Sequence, residues 1–219
     1  MCPGHVCAAG TCGFAASCRD LHVRQPTYPS GTYRIDSDGA GPNPPFDAPC
    51  DMETEGGGWT LVFVQPIDGM NTATQDYTTN DATLIAASSQ VLIALRDMST
   101  TTMATCCAET ATFPLPASWR TQAPFRYYGT DELLPVTSGG GAPVLRTVRY
   151  GHGVWSDAAY NCVGSWLMGS TNRDGRICIQ GTRHSAIFGF GLASADACDA
   201  SDGGTNLCLL TRRYTIGMR

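Results

Sequence analysis

Oxygen-bearing side chains crowd one part of this sequence, residues 157–206, which contains five Asp and three Asn. Ca²⁺ takes about six to eight oxygen ligands of these kinds, and clustered carboxylates repel one another unless a cation compensates them. Two groups are local: residues 172–175 read Asn-Arg-Asp-Gly, and Asp recurs at every third position from Asp196 to Asp202. The same residue types also form solvated turns, and from the residues alone both interpretations stay open.

Polar and aromatic side chains in the same part of the chain have the chemistry of a saccharide site. Such a site needs polar groups for hydroxyls and an aromatic face for the C–H surface of the sugar ring. We take Trp166 as a core residue instead. The candidate ligand-binding residues are Trp155, Tyr160, Asn161 and His184.

Catalytic signatures are missing from the sequence. It contains no H-E-x-x-H, G-x-S-x-G or G-x-x-x-x-G-K-[ST] motif. The four histidines are scattered, and a Cys–His nucleophilic pair would need a cysteine that is not in a disulfide. We therefore predict that the protein is not an enzyme, with a secreted hydrolase that has a rebuilt active site as the remaining alternative.

The overall composition argues against several classes of binding partner. Of 219 residues, 42% are hydrophobic, which is enough for a core, and only 15% are charged. The net charge is −5 and no polybasic stretch occurs, so we expect neither nucleic acid nor an anionic membrane surface as a partner. No apolar run approaches about 18 residues, so we expect no membrane insertion.

Eleven cysteines favour disulfides and an oxidising compartment, so we predict a secreted or cell-surface protein. Structural zinc sites use paired spacings such as C-x-x-C, and no such pair occurs here. Residues 1–17 hold three cysteines and few large apolar side chains, so we predict a Cys-rich linker or repeat remnant there and a domain over 18–219. We interpret the chain as an excised or mature piece of a longer secreted protein. The pairing of Cys2, Cys7, Cys12, Cys106 and Cys107 stays open.

The candidate binding residues need a scaffold that positions them. The sequence pattern that predicts its strands and helix lies mainly in the first two thirds of the chain. Apolar, β-branched runs predict strands, and Asp81 is typical of a helix N-cap. Residues 40–49 form a predicted proline-rich loop, and from Gly151 to Gly204 regular periodicity disappears. The predicted helix covers 81–88, and the predicted strands cover 30–36, 59–65, 90–97, 125–130, 144–150 and 214–219.

Residues 50–62, Cys-Asp-Met-Glu-Thr-Glu-Gly-Gly-Gly-Trp-Thr-Leu-Val, closely resemble the opening signature of fibrinogen-like domains. Upstream, Cys18, residues 30–33, Ile35 and Phe46 follow the order of that family. The resemblance implies a Cys18–Cys50 disulfide. We expect the three glycines to allow a tight turn and a close backbone approach where a Cβ would clash.

A second resemblance covers residues 156–178, where fibrinogen-like domains place an Asn-Cys pair after acidic calcium ligands. The sequence that follows is similar to intelectins, which are lectins for microbial glycans. The two families together imply a Cys162–Cys178 bridge, and the resemblance to fibrinogen-like domains implies a cis Asn161–Cys162 peptide bond. We prefer Cys198–Cys208 as a third bridge. The matching residues are Asn161, Cys162, Trp166, Cys178, Ile179, Phe188, Cys198 and Asp199.

The match to the calcium patterns is incomplete. Only Asp157 stands where the fibrinogen-like pattern has Asp-x-Asp, and Arg176 stands where intelectins have a histidine. No glutamate follows Glu132. With the resemblance added we nevertheless predict at least one Ca²⁺, with the ligands Asp157, Asn172, Asp174, Asp199 and Asp202.

The resemblance implies an α+β, fibrinogen C-terminal-like fold with a twisted, mainly antiparallel sheet, few short helices and a long coil-rich, disulfide-stapled C-terminal region. It implies a secreted, Ca²⁺-dependent carbohydrate-binding (lectin-like) domain for recognition or adhesion. Its partner would be a glycan or another surface-exposed ligand, with homo-oligomerisation left open. The alternative is a protein–protein adhesion module on the same fold without a sugar site.

Overall fold

The computed structural model describes residues 5–8, 11–64, 81–97, 109–117, 130–138, 140–152, 175–179, 187–190 and 212–219. Within these residues the α-helices are α1 (Cys18–Arg24) and α2 (Ala82–Ala87), and a 3₁₀ turn covers Thr54–Gly56. The strands are β1 (His5–Ala8), β2 (Thr11–Phe14), β3 (Gly31–Ile35), β4 (Phe46–Asp51), β5 (Trp59–Val64), β6 (Gln90–Asp97), β7 (Glu109–Pro114), β8 (Thr130–Ser138), β9 (Val144–His152), β10 (Gly175–Ile179), β11 (Ile187–Phe190) and β12 (Arg212–Met218).

Ten of these strands form one sheet in the order β11-β10-β9-β8-β7-β6-β12-β5-β4-β3, while β1 and β2 form a separate hairpin. Every neighbouring pair in the sheet is antiparallel. The predicted fold class, a mainly antiparallel sheet with few short helices, is therefore confirmed. No helix in the described ranges is long and apolar enough to cross a membrane.

Strand β12 closes the middle of the sheet although it comes last in the chain. It pairs with β6 from Arg212↔Asp97 to Met218↔Val91. On its other side it pairs with β5, from Thr215↔Val64 to Met218↔Thr60, with a register shift after Ile216. Ile216 and Met218 are buried, as apolar residues in a central strand should be. In the sheet, β12 thus lies between β5 and β6 and joins them.

Both helices begin at side-chain caps. Ser17 Oγ accepts a hydrogen bond from the backbone N–H of Asp20 at 3.1 Å and starts α1. Asp81 Oδ1 accepts from the N–H of Leu84 at 2.6 Å and starts α2, which confirms the predicted N-cap. Helix α1 was not among the sequence predictions, although Ser17 with an acidic residue three positions later is a capping-box signal.

The N-terminal core cluster packs α1 against β3 and β4 around a disulfide. Cys18 and Cys50 are joined, as the family resemblance implied, and both are fully buried. Burial raises the pKa of Tyr33, with a further contribution from Tyr28, and the Tyr33 hydroxyl donates to the Pro29 carbonyl at 2.6 Å. The buried members of the cluster are Ala15, Cys18, Leu21, Tyr33, Ile35, Ala48, Cys50 and Met52.

Packing begins before the predicted domain start at Cys18. Ala15 is fully buried, forms a parallel bridge with Ile35, and its carbonyl accepts from the N–H of Asp36 at 2.9 Å. The residues just N-terminal to α1 therefore contribute to the core of the domain. For the residues before Ala15, the assignment to a separate Cys-rich linker stays a prediction.

Three consecutive glycines form the turn that leads into β5. Gly56, Gly57 and Gly58 have φ angles of +85°, +68° and +75°, in the left-handed region that favours glycine. A Cβ on Gly57 would overlap the backbone carbonyl of Met52. The turn needs glycine both for its dihedral angles and for this close approach, as the sequence predicted.

The side chain of Arg219 holds this turn against the sheet. Its Nη1 donates to the carbonyls of Glu55 at 3.1 Å and Gly57 at 2.8 Å. Its guanidinium lies 4.0 Å from the centroid of the Trp59 ring, a cation–π contact. Burial lowers the pKa of Arg219, nearby Arg19 adds to this, and Glu55 acts in the opposite direction. Trp59 is fully buried and its Nε1 donates to the Thr54 carbonyl at 2.7 Å.

Several predicted boundaries need correction. The predicted proline-rich loop 40–49 overlaps β4, which starts at Phe46. The stretch from Gly151 to Gly204, predicted to be irregular, contains β10 and β11. A strand begins at Thr130 and continues to Ser138, beyond the predicted strand 125–130, most of which lies outside the described residues.

Candidate functional site

All nine predicted metal-binding and ligand-binding residues lie outside the described residues, so the metal site and the saccharide site stay predictions. The same holds for the Asn161–Cys162 bond and the Cys198–Cys208 bridge. Of the Cys162–Cys178 pair, only the backbone of Cys178 is described, in β10. The nine residues are Trp155, Asp157, Tyr160, Asn161, Asn172, Asp174, His184, Asp199 and Asp202.

The described strands fix where the segments carrying these residues are anchored. Gly175, the first residue of β10, pairs with His152 at the end of β9 on one side. On its other side Gly175 pairs with Phe190 at the end of β11. Neighbouring strands lie about 4.8 Å apart, so the backbones at His152 and Phe190 are about 10 Å apart. Three ends of two chain connections therefore meet at this end of the sheet, which we call the β9–β11 corner (His152, Gly175 and Phe190).

Two acidic segments are tied to the β9–β11 corner. Residues 153–174 leave from His152 and return to Gly175, and residues 191–211 leave from Phe190. The first segment carries six of the nine predicted residues, and the second carries Asp199 and Asp202. Asp174 directly precedes Gly175, so its Cα lies about 3.8 Å from the Cα of that anchor. Both segments that carry predicted metal ligands are thus anchored at the same corner of the sheet.

His184 belongs to a different end of the sheet. It lies on the connection 180–186, which joins Ile179 of β10 to Ile187 of β11. Strand β10 extends four residue steps from Gly175 to Ile179, which is about 13 Å. The connection that carries His184 is therefore anchored one strand length away from the β9–β11 corner.

The part of the chain that the structure describes offers no competing metal centre, since none of its His, Cys, Asp and Glu side chains gather in a group of three able to hold an ion. Asp36 Oδ1 and Asp38 Oδ1 are buried without a hydrogen-bond partner. These carboxylates were not among the predicted metal ligands, although residues 36–39, Asp-Ser-Asp-Gly, have the same acidic and glycine composition as the predicted ligand segments. Asp51 Oδ1 accepts from the N–H groups of Glu53 and Thr54, both at 3.0 Å, which is a turn-forming role.

Comparison with known proteins gives one family match. Residues 14–104 match the model of the C-terminal globular domain of fibrinogen beta and gamma chains. This range starts one residue before the buried Ala15 and contains the whole N-terminal core cluster. A comparison with curated proteins gives no match.

Among solved structures, the chain is similar to the fibrinogen-like globe domain of human ANGPTL6. The two share 12% sequence identity with a TM-score of 0.43, and the alignment covers 94% of this chain and 96% of that chain. The family match, the disulfide and the glycine turn agree with the resemblance found in the sequence. Residues 14–104 of this chain are therefore similar to the C-terminal globular domain of fibrinogen beta and gamma chains.

Proposed function

We propose that this protein is a Ca²⁺-dependent carbohydrate-binding domain that acts in recognition or adhesion outside the cell. Fibrinogen-like domains are typically extracellular ligand-binding or adhesion modules and are generally not enzymes. The observation that carries the finer proposal is the β9–β11 corner, where two segments rich in Asp and Asn are anchored within about 10 Å.

The donor set fits calcium. Four carboxylates and one amide are hard oxygen ligands, which Ca²⁺ prefers over nitrogen or sulfur. Asp157, Asn172 and Asp174 come from the segment 153–174, and the remaining two come from the segment 191–211. Because ligands from two segments with a common anchor can share one ion, binding would also tie the two segments to each other.

A bound Ca²⁺ would supply coordination positions for two neighbouring sugar hydroxyls or for an acetyl or anionic group. The protein's own contribution is the surrounding surface. Trp155 and Tyr160 would offer aromatic faces to the ring, and Asn161 would offer an amide to hydroxyl groups. These three belong to the segment 153–174, whereas the anchors of His184 lie at the other end of β10.

Replacing single acidic residues is expected to abolish glycan binding. Asp174→Asn and Asp199→Asn each remove one charge from the proposed ligand set, one in each segment. We expect each variant to lower Ca²⁺ affinity at least tenfold and to lose binding on a glycan array. The measurements are calcium titration by calorimetry and array binding with and without the chelator EDTA.

Asp47→Asn is the matched control because it makes the same chemical change at an exposed residue of β4, where Asp47 forms a salt bridge with Arg34 at 3.1 Å. This variant should bind Ca²⁺ and glycans like the wild type. Glycan binding that persists in EDTA would contradict the calcium mechanism. If the protein binds Ca²⁺ but binds no glycan on the array, the lectin proposal is contradicted.

A second function, protein–protein adhesion, is favoured by exposed apolar residues on β8 and β9. Leu133 is 65% exposed and Leu145 is 64% exposed. Pro135, also exposed, pairs directly with Leu145, so these residues share one face of the hairpin while Val136 is buried on the other. A contiguous apolar face on a soluble module is a common feature of binding surfaces.

If this face binds a protein partner, Leu145→Ser should weaken cell or matrix adhesion severalfold without changing the fold. Val23→Ser is the matched control, because Val23 is 72% exposed and lies on α1 instead. Adhesion assays in EDTA separate this function from the lectin function. Equal adhesion of Leu145→Ser and the wild type would eliminate the β8–β9 face as the contact.

A further inference from the structure

The N-terminal hairpin places two cysteines directly opposite each other. Strands β1 and β2 are antiparallel, and their register pairs Cys7 with Cys12 and Ala8 with Thr11. Only two residues connect Ala8 to Thr11. The pair that flanks such a short connection is normally the hydrogen-bonded pair of a turn. By the alternation of antiparallel ladders, Cys7 and Cys12 then form a non-hydrogen-bonded pair.

This type of pair has the backbone spacing that a disulfide needs. Non-hydrogen-bonded partners have Cα atoms about 4.5 Å apart, and Cβ atoms of opposite residues are about 4.5–5.5 Å apart. Disulfides have Cα separations of about 4.4–6.8 Å and Cβ separations near 4 Å. A small adjustment of a two-stranded hairpin suffices to reach this geometry.

We propose that Cys7 and Cys12 form a cross-strand disulfide that is a reversible thiol–disulfide exchange site, opened without unfolding the fibrinogen-like domain. The hairpin is a two-stranded sheet separate from the ten-stranded sheet, and a hairpin of this kind is only marginally stable by itself. Gly13, the neighbour of Cys12, is exposed, and a Cβ built on it would meet nothing within 4 Å. Because a marginally stable hairpin can open without the ten-stranded sheet, an exchange partner can reach the two sulfur atoms.

The Cys18–Cys50 disulfide provides the contrast within the same chain. Both of its cysteines are fully buried in the N-terminal core cluster. Thiolates exchange with a disulfide only when they can reach one of its sulfur atoms. Reductants should therefore open the hairpin disulfide first and leave the core disulfide closed.

The exchange partner is a small-molecule disulfide and its thiol, such as glutathione. In formation, the Cys7 thiolate attacks oxidised glutathione, and one glutathione thiolate leaves. The Cys12 thiolate then attacks the mixed disulfide at the Cys7 sulfur, and a second glutathione leaves. The two cysteines lose two protons and two electrons, and one oxidised glutathione becomes two reduced molecules. Opening is the reverse reaction.

The test is thiol labelling of the full chain. The protein is held in a series of dithiothreitol concentrations, alkylated with N-ethylmaleimide, and mapped by peptide mass spectrometry. We expect Cys7 and Cys12 to be unlabelled without reductant. They should become labelled at a concentration at least tenfold below that for Cys18 and Cys50, with an unchanged near-ultraviolet circular dichroism spectrum.

Cysteine variants test whether Cys7 is paired with Cys12. Cys2→Ser should leave Cys7 and Cys12 unlabelled, and adding Cys12→Ser in that background should make Cys7 the newly labelled thiol. Labelling of wild-type Cys7 without reductant would overturn the proposal. So would a different newly labelled cysteine in the double variant, or simultaneous opening of the hairpin and core disulfides. Calcium and glycans do not enter this experiment, so its outcome is independent of the proposed function.

Discussion

Removing residues 212–219 is expected to abolish the folded state of the domain. These residues contain β12, which pairs with β5 on one side and β6 on the other. Without β12 each of these strands loses one of its two ladders, β5 keeps only β4 and β6 keeps only β7, and the Arg219 contacts to the glycine turn disappear as well. The loss of native structure should be visible as an absent cooperative transition in urea, measured by circular dichroism and Trp fluorescence.

A milder change in the same strand gives a graded result. Ile216 is buried, so Ile216→Ala should lower the free energy of unfolding by about 3 kcal/mol. Val23→Ala, at an exposed position, should change it by less than about 0.5 kcal/mol. A cooperative transition of wild-type size in the truncated chain would show that β12 is not needed to join the two parts of the sheet.

Gly57→Ala is expected to lower the free energy of unfolding by about 4 kcal/mol. Part of this, about 1–3 kcal/mol, is the cost for a residue with a Cβ of a φ of +68° combined with a ψ of −172°, a region essentially restricted to glycine. The rest arises because the new Cβ overlaps the Met52 carbonyl, a backbone atom that moves only with its turn. The measurement is urea unfolding followed by Trp fluorescence, since Trp59 directly follows the turn.

Gly39→Ala separates the two contributions. Gly39 also has a positive φ, of +62°, but a Cβ there would meet nothing within 4 Å. This control should lose only about 1–2 kcal/mol. Equal losses for the two variants would mean that the close approach to Met52 contributes nothing and that the turn needs glycine for its dihedral angle alone.

The elements that local chemistry specifies were predictable from the sequence. The apolar runs that became β5 and β6 have the β-branched composition of buried strands, and Asp81 has the chemistry of an N-cap. The glycine turn was predictable because three successive glycines before a large aromatic have few other physical uses.

Strand β4 escaped prediction because proline is rare inside sheets. Pro49 is nevertheless compatible with this strand. It lies opposite Thr32 of β3, whereas the pairing of β4 with β5 includes only Cys50 and Asp51. On the side of β5, the strand has no ladder at Pro49, so no N–H is needed there. Strands β10 and β11 were missed because they are short and contain or adjoin glycines.

The candidate site was predictable in its chemistry but not in its arrangement. Residue types alone indicate oxygen ligands in the segment 157–206. Only the register of Gly175 with His152 and with Phe190 places two acidic segments at one corner. Such pairing joins positions far apart in the sequence, and local patterns carry no information about it. The same reason explains why the central position of β12 was not predicted.

The position of β12 also determines the order in which the domain can fold. Strands β3, β4 and β5 are near neighbours in the sequence, so their pairing closes only short loops. Thr60 and Met218, which pair across β5 and β12, are separated by most of the chain. Closing so long a loop costs more entropy, and folding rates fall as contacts become less local. We therefore expect the N-terminal meander and its Cys18–Cys50 disulfide to form early, with insertion of β12 as the slow step that completes the sheet.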